Sequence, residues 1–213
     1  ESWENVTPRK MPEWAQVNSI EVDPHHKGGL YVAATMYRLG DYTPYLYHTT
    51  DYGKTWKHIT GGLPTDHFTR VIRADRNVDG LLYCGTEFGL YVSTNGGAAW
   101  QPLQLNLPPV PITDLALKDN DLIVATQGRS FWILDDLNVI WDEVAAATNT
   151  DELRLYSVHP TVGFGGGKGA SSVTEGTNHP AGVRVHFNMP EGVKDAQLRM
   201  LTADGEVIRT FST

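Results

Sequence analysis

The chain has one cysteine, Cys84, in 213 residues. An internal disulfide is therefore excluded, and packing and hydrogen bonds must hold the fold. Cations are scarce, with 17 Lys and Arg against 25 Asp and Glu and a net charge of −8. This balance counts against nucleic acid or an anionic membrane as a partner, since both recruit clustered positive charge. Long apolar runs are missing, so no segment reads as a transmembrane span. The glycine run from Gly163 to Gly169 lacks the Gly-Lys-Ser/Thr ending and following helix of a phosphate loop. Cys84 lies in the strand-like run Leu81-Leu82-Tyr83-Cys84-Gly85 and reads as a packing thiol. What the chain has in quantity is turn and ring chemistry: 21 glycines and 10% aromatics, the composition of a turn-rich all-β protein.

One phrase recurs. Thr49-Thr50-Asp51-Tyr52-Gly53-Lys54-Thr55-Trp56 returns as Ser93-Thr94-Asn95-Gly96-Gly97-Ala98-Ala99-Trp100, with the two tryptophans 44 residues apart. A repeat of roughly 40–50 residues predicts one propeller blade per copy. Each phrase lies between two strand-like runs and reads as a hairpin turn. Asp51 or Asn95 can accept N–H groups further along the turn. Gly53 and Gly97 supply positive φ, and Trp56 and Trp100 are large enough to fill the gap between neighbouring sheets. Thr49 and Ser93 open the two turns. Two weaker copies flank these. Ser2-Trp3-Glu4-Asn5-Val6-Thr7 aligns with Thr55–Thr60, and Phe131-Trp132-Ile133 and Trp141-Asp142-Glu143-Val144 repeat earlier runs at an offset of 41.

Strands are predicted at 17–22, 30–35, 45–49 and 56–60, then 69–74, 81–86, 90–94 and 100–104, then 112–117, 121–126, 131–134 and 140–144. The run Asp142–Ala147 alternatively makes a short helix. The expected organisation is propeller blades over 1–144, the first truncated, a Gly/Ser-rich linker over 145–182, and alternating strands over 183–213 that open an immunoglobulin-like β-sandwich. A closed propeller needs at least about four blades. With about three present, the expectation is a piece of a larger protein whose remaining blades are its first partners.

The phrase resembles the Asp-box, or BNR repeat, of sialidases, xyloglucan-cleaving enzymes and the sortilin-type receptor propeller. Ala125-Thr126-Gln127-Gly128-Arg129-Ser130-Phe131-Trp132-Ile133-Leu134-Asp135-Asp136 is similar to the propeller end of exported bacterial proteins of the "glycosyl hydrolase" and sortilin-like group. The resemblance implies an exported protein (periplasmic, outer-membrane associated or extracellular), with a glycan or protein ligand and a place in a cell-surface complex. It also implies boxes on one face of the propeller and ligand sites on the other, in the loops 36–44, 86–89 and 127–130 and the connections 8–16, 61–68 and 104–111.

On that face Tyr37, Arg38, Tyr42, Phe88 and Arg129 are the candidate binding residues, although Arg129 serves equally as a tie between blades. A glycosidase needs two carboxyls about 5–5.5 Å or 6.5–9.5 Å apart. Asp41, Asp66, Glu87 and Asp114 are the weak candidates, and nothing in the sequence pairs them. The arginine motif of sialidases is absent from this segment. No cofactor or metal is expected. His25-His26 reads as a solvated turn, and Asp23, Asp75, Asp79, Asp119 and Asp121 as turn chemistry, with Ca²⁺ binding the lesser alternative. A ligand-binding propeller is favoured, with hydrolysis of a polysaccharide as the alternative. An assembly factor of the plant and cyanobacterial kind is a third reading, from which the Gly128–Asp136 stretch points away.

Overall fold

The computed structural model describes residues 2–146, 152–161, 182–193 and 195–212. The chain divides into two compact units, Glu1–Leu137 and Asn138–Thr213.

The first unit is a partial β-propeller. Its first sheet is an antiparallel meander of β1 (Gln16–Val22), β2 (Leu30–Met36), β3 (Asp41–Thr49) and β4 (Lys57–His58), hydrogen-bonded in that order. The second repeats the plan with β5 (Thr69–Ala74), β6 (Leu82–Thr86), β7 (Leu90–Ser93) and β8 (Gln101–Pro102). The third has β9 (Ile112–Lys118), β10 (Asp121–Thr126) and β11 (Phe131–Leu134). The first strands of successive blades are neighbours, β1 against β5 and β5 against β9. A core is buried between blades rather than within one. Tyr31, Ala33, Leu46, Ile59 and Leu63 of the first blade meet Ile72, Ala74, Leu82, Cys84, Tyr91 and Trp100 of the second. Cys84 is fully buried there, and burial pushes its thiol pKa far up. Its role is packing.

The recurring phrase locks one blade to the next. The Trp100 indole donates to the Ile59 carbonyl at 2.6 Å, and the Trp56 indole to the Val6 carbonyl at 2.8 Å. Ile59 and Val6 each stand three residues beyond a tryptophan, Trp56 and Trp3. Glycine is required in both turns. A Cβ on Gly97 (φ +83°) would lie 2.8 Å from Ile59 Cδ1, and one on Gly53 (φ +83°) would lie 2.7 Å from Val6 Cβ. Trp100 is buried at 5% exposure, while Trp3 is open to solvent at 97%.

The expected strand at 140–144 is instead part of helix α1 (Asn138–Ala145). The run has no Gly or Pro, and Asn138 and Asp142, one turn apart, both bind Ser157. Glu143 beside them pairs with Arg154 at 3.2 Å and accepts the Tyr156 hydroxyl. Helix geometry is what brings these polar groups to one side. The second unit also holds β12 (Arg154–Leu155) against β13 (Phe187–Asn188), and β14 (Gln197–Leu201) against β15 (Val207–Ser212). Of the expected alternating strands over 183–213, the first is reduced to β13. The glycine run 163–169 lies outside the described residues.

Candidate functional site

The two ends of each blade differ in chemistry. At one end lie the phrase turns. Asp51 Oδ1 accepts the Thr55 N–H and the Thr49 hydroxyl, both at 2.8 Å, and Oδ2 accepts the Thr55 hydroxyl at 2.6 Å. These bonds, the Thr55 hydroxyl first, pull the Asp51 pKa down to about 2. In the second turn Asn95 Oδ1 takes the Ala99 N–H at 2.8 Å and the Ser93 hydroxyl at 2.9 Å. Thr49 and Ser93 hydroxyls also accept the N–H of Gly53 and Gly97. Every side-chain oxygen of Thr49, Asp51, Ser93 and Asn95 is thus engaged inside its own turn.

The first-to-second-strand turns share this end. Asp23 accepts the His25 and His26 N–H groups, the Tyr31 hydroxyl and the rings of His26 and His48. Asp75 repeats the device with Asn77, Val78 and Tyr83. Asp23, His26 and Asp79 can each bring one ligand atom within 4.8 Å of the others. The Asp23 oxygens already accept from His25, His26, Tyr31 and His48.

The other end carries the candidate site. Tyr31 and Tyr83, equivalent by their Asp partners, are 52 residues apart, whereas Trp56 and Trp100 are 44 apart. The difference is eight extra residues shared by the β2–β3 connection and the longer facing ends of β2 and β3. In the second blade the matching hairpin is short: Thr86 N–H donates to Gly89 O at 2.9 Å, and Phe88 N–H to the Thr86 hydroxyl. The inserted segment forms a 3-10 turn, Tyr37–Leu39, ended by Gly40 in the left-handed region (φ +79°). Tyr37 crosses to the second blade and stacks on Phe68, with centroids 4.8 Å apart and planes within 7°. Tyr42 approaches the same ring from 6.1 Å. The Arg70 guanidinium stands over both, 5.2 Å from the Phe68 centroid and 5.7 Å from that of Tyr37. Glu87 Oε2 fixes it, taking Nε at 2.7 Å and Nη2 at 2.6 Å. Phe88 lies 4.6 Å from the His67 ring, whose Nδ1 meets the Tyr91 hydroxyl at 2.7 Å. Tyr42, Phe88 and Leu39 remain exposed.

Thr69, fully buried, sets this register. It accepts the Tyr45 N–H at 3.2 Å, and its hydroxyl reaches the Ala34 and Tyr45 carbonyls of the first blade. Alternation along β5 then puts Phe68 and Arg70 together on the opposite side.

Of the five candidate binding residues, Tyr37 and Tyr42 meet at Phe68, and Phe88 packs on the adjacent His67. Arg38 is exposed beside them, its Nε donating to the Tyr37 hydroxyl at 3.3 Å. Arg129 lies in the third blade's hairpin, exposed, with its N–H on the Thr126 hydroxyl and its carbonyl taken by the Trp132 indole.

The four candidate carboxylates do not form a pair. Glu87 is neutralised by Arg70, and Asp114 by Arg73 Nη2 at 2.6 Å. Asp41 is held below the usual carboxylate range by the Tyr45 hydroxyl at 2.6 Å and the Thr43 N–H. Asp66 is exposed, 4.0 Å from His67. Glu21 on β1 is the carboxyl that burial pushes upward, opposed by Arg73 at 3.8 Å. Arg73 is a hub, donating also to Ser19 Oγ, Ile72 O and Leu115 O. It lines a polar cleft of about 320 Å³ between β1, β5 and β9, with Asn18, Ser19, Arg70, Thr113 and Asp114.

Sequence reasoning missed Phe68, Arg70, Arg73 and Glu21. Phe68 closes the 61–68 connection, and its alternation with Arg70 about Thr69 was the available signal. Arg73 and Glu21 sit mid-strand, where a search of loops does not look.

No family model matches the chain. A curated relative, the xyloglucanase Xgh74A of Acetivibrio thermocellus, is 31% identical over 99 residues, which span 41% of this chain and 12% of that protein. Among solved structures, a GH74 enzyme of Niastella koreensis is similar at a TM-score of 0.45 and 20% identity, over 56% of this chain and 21% of that one. A structure of YCF48 bound to D1 peptide is similar at 0.42 and 18% identity, over 57% and 37% of the two chains.

Proposed function

We propose that this chain is a ligand-binding segment of an Asp-box propeller from an exported sortilin-like or glycosyl hydrolase-like protein, and that it takes a glycan or a peptide on the face opposite the phrase turns. One observation carries the reading. The eight extra residues have no counterpart in the second blade, and they place Tyr37 on Phe68 while leaving Tyr42 and Leu39 in solvent. Exposed rings with a few fixed polar groups are the usual furniture of ligand surfaces. The boxes serve structure, since their side-chain oxygens are used within the turns. A preceding blade is part of the proposal, because Val6 stands to Trp56 as Ile59 stands to Trp100.

Hydrolysis of a polysaccharide is the second reading. The 31% identity to a xyloglucanase supports it. So does the placement of Glu21, its pKa raised, and Asp114 on either side of Arg73. Affinity electrophoresis in xyloglucan, mannan and xylan gels, beside a peptide array, tests the first reading. Retention that falls at least tenfold in Tyr42→Ala and Tyr37→Ala supports it, whereas retention indifferent to both sinks the site. Reducing-sugar release abolished by Glu21→Gln and Asp114→Asn, with unchanged circular dichroism, would establish the second.

A further inference from the structure

The ion pair at the centre of the site is half used. Arg70 commits Nε and Nη2 to a single oxygen, Oε2 of Glu87. Among the described residues no partner is recorded for Arg70 Nη1 or for Glu87 Oε1. Both side chains stay accessible, at 22% and 26% exposure. One fixed ion pair thus offers an open donor and an open acceptor beside the Tyr37–Phe68 stack, with Arg70 at the rim of the polar cleft.

We infer that the Arg70–Glu87 pair reads a vicinal diol, and that the ligand is a neutral saccharide rather than a peptide or a charged polymer. This inference rests on the ligand-binding reading above. One hydroxyl donates to Glu87 Oε1 while its neighbour accepts from Arg70 Nη1. A hydroxyl both donates and accepts, so a diol satisfies the two groups at once. The pair is already charge-balanced, and a carboxylate or phosphate brought to Arg70 Nη1 would stand close to the Glu87 carboxylate, like charge against like charge. A cationic ligand would meet the Arg70 and Arg38 guanidiniums. The apolar C–H face of a pyranose then packs on the exposed rings of Tyr42 or Phe88, as an amphipathic ligand requires. The Arg70 guanidinium is aimed because it lies over two rings and is tied by Glu87, so little freedom is lost when a ligand arrives.

The test uses xyloglucan as probe, in native form and after periodate cleavage and borohydride reduction, which breaks its vicinal diols but keeps it neutral. Native polymer should be retained and the cleaved polymer should not. Glu87→Gln and Arg70→Lys should each lose at least tenfold in affinity at unchanged secondary structure. The exchanged variant Arg70→Glu/Glu87→Arg restores the ion pair with its polarity reversed. It should recover the thermal midpoint without recovering retention. Equal retention of native and cleaved polymer, or wild-type affinity in Glu87→Gln while Tyr42→Ala still fails, overturns the diol assignment and leaves the site standing. Binding of peptides alone overturns the saccharide assignment. Indifference of all binding to Tyr37→Ala and Tyr42→Ala removes the site itself.

Discussion

At the residue scale the two phrase turns solve one problem with two chemistries. Asp51 has two acceptor oxygens and two hydroxyls to satisfy, those of Thr49 and Thr55. Asn95 has one acceptor oxygen, and position 99 is alanine, so no second hydroxyl asks for one. Asp goes with Thr and Asn with Ala. A double-mutant cycle tests this coupling. Asp51→Asn should destabilise on its own because the amide cannot accept from the Thr55 hydroxyl. In a Thr55→Ala background the same change should have a much smaller effect, read from chemical denaturation; additive effects would refute the pairing. Acid should act on the same group. The folded pKa of Asp51, about 2, lies below its ordinary value. Its contribution is present above pH 4 and is lost as the pH falls toward 2, so the gap in melting temperature between wild type and Asp51→Asn should close over that window. His48 works in the opposite sense. It is stacked on Tyr31 at 4.1 Å, near Asp23, His26 and Lys57, and burial lowers its pKa. Folding prefers its neutral ring, so its contribution is full above the ordinary pKa near 6.5 and declines as the pH drops below it. His48→Gln should flatten the loss of stability between about pH 6.5 and 5. The turn residues were legible because the phrase recurs in register and each side chain bonds within a few positions of itself. Arg70 and Glu21 were not, because their meaning lies in partners 17 and 52 residues away, Glu87 and Arg73.

At the element scale the insertion is what separates site from scaffold. The β6–β7 hairpin shows that a blade closes with a short turn at this end, and β2 and β3 are paired continuously from Leu30–Thr49 to Ala34–Tyr45 without help from the inserted residues. Replacing residues 37–44 by a short hairpin of the Glu87-Phe88-Gly89 type should therefore leave a folded protein. Its circular dichroism should match wild type, and retention in glycan gels should vanish. Loss of the fold would show that the segment is structural and that its stack on Phe68 is core packing. The periodic strands were readable because alternation and turn residues agree over the first two blades. The segment 138–145 was ambiguous for a physical reason. Eight residues without Gly or Pro suit either element, and the choice falls to Asn138, Asp142 and Glu143, whose partners are 154–157. The 36–44 loop was recognised as long, but nothing local says that Tyr37 will cross to the next blade.

At the scale of the molecule, blades are held by contacts between neighbours, so stability should behave as a sum of blade terms and interface terms. The interface between the first two blades combines an apolar core with directed bonds, among them the Trp100 indole to Ile59 O at 2.6 Å. The two contributions can be separated by substitution. Trp100→Phe keeps most of the ring volume and removes the donor, leaving a carbonyl of the buried Ile59 without its partner, at a cost of about 1–3 kcal/mol. Trp100→Ala removes the volume as well and should cost about 3–5 kcal/mol. The pattern of unfolding should also change. With the wedge gone, the first blade is coupled to the second mainly through Thr69, Ser19 and His25, whose bonds to the neighbouring blade lie away from residue 100. Trp100→Ala should then show a reduced denaturant slope, as the two blades cease to unfold as one unit, while Trp100→Phe keeps the wild-type slope. Equal stability of Trp100→Phe and wild type would remove the indole N–H from the latch, and a wild-type slope in Trp100→Ala would show that the inner-strand bonds alone make the blades cooperative.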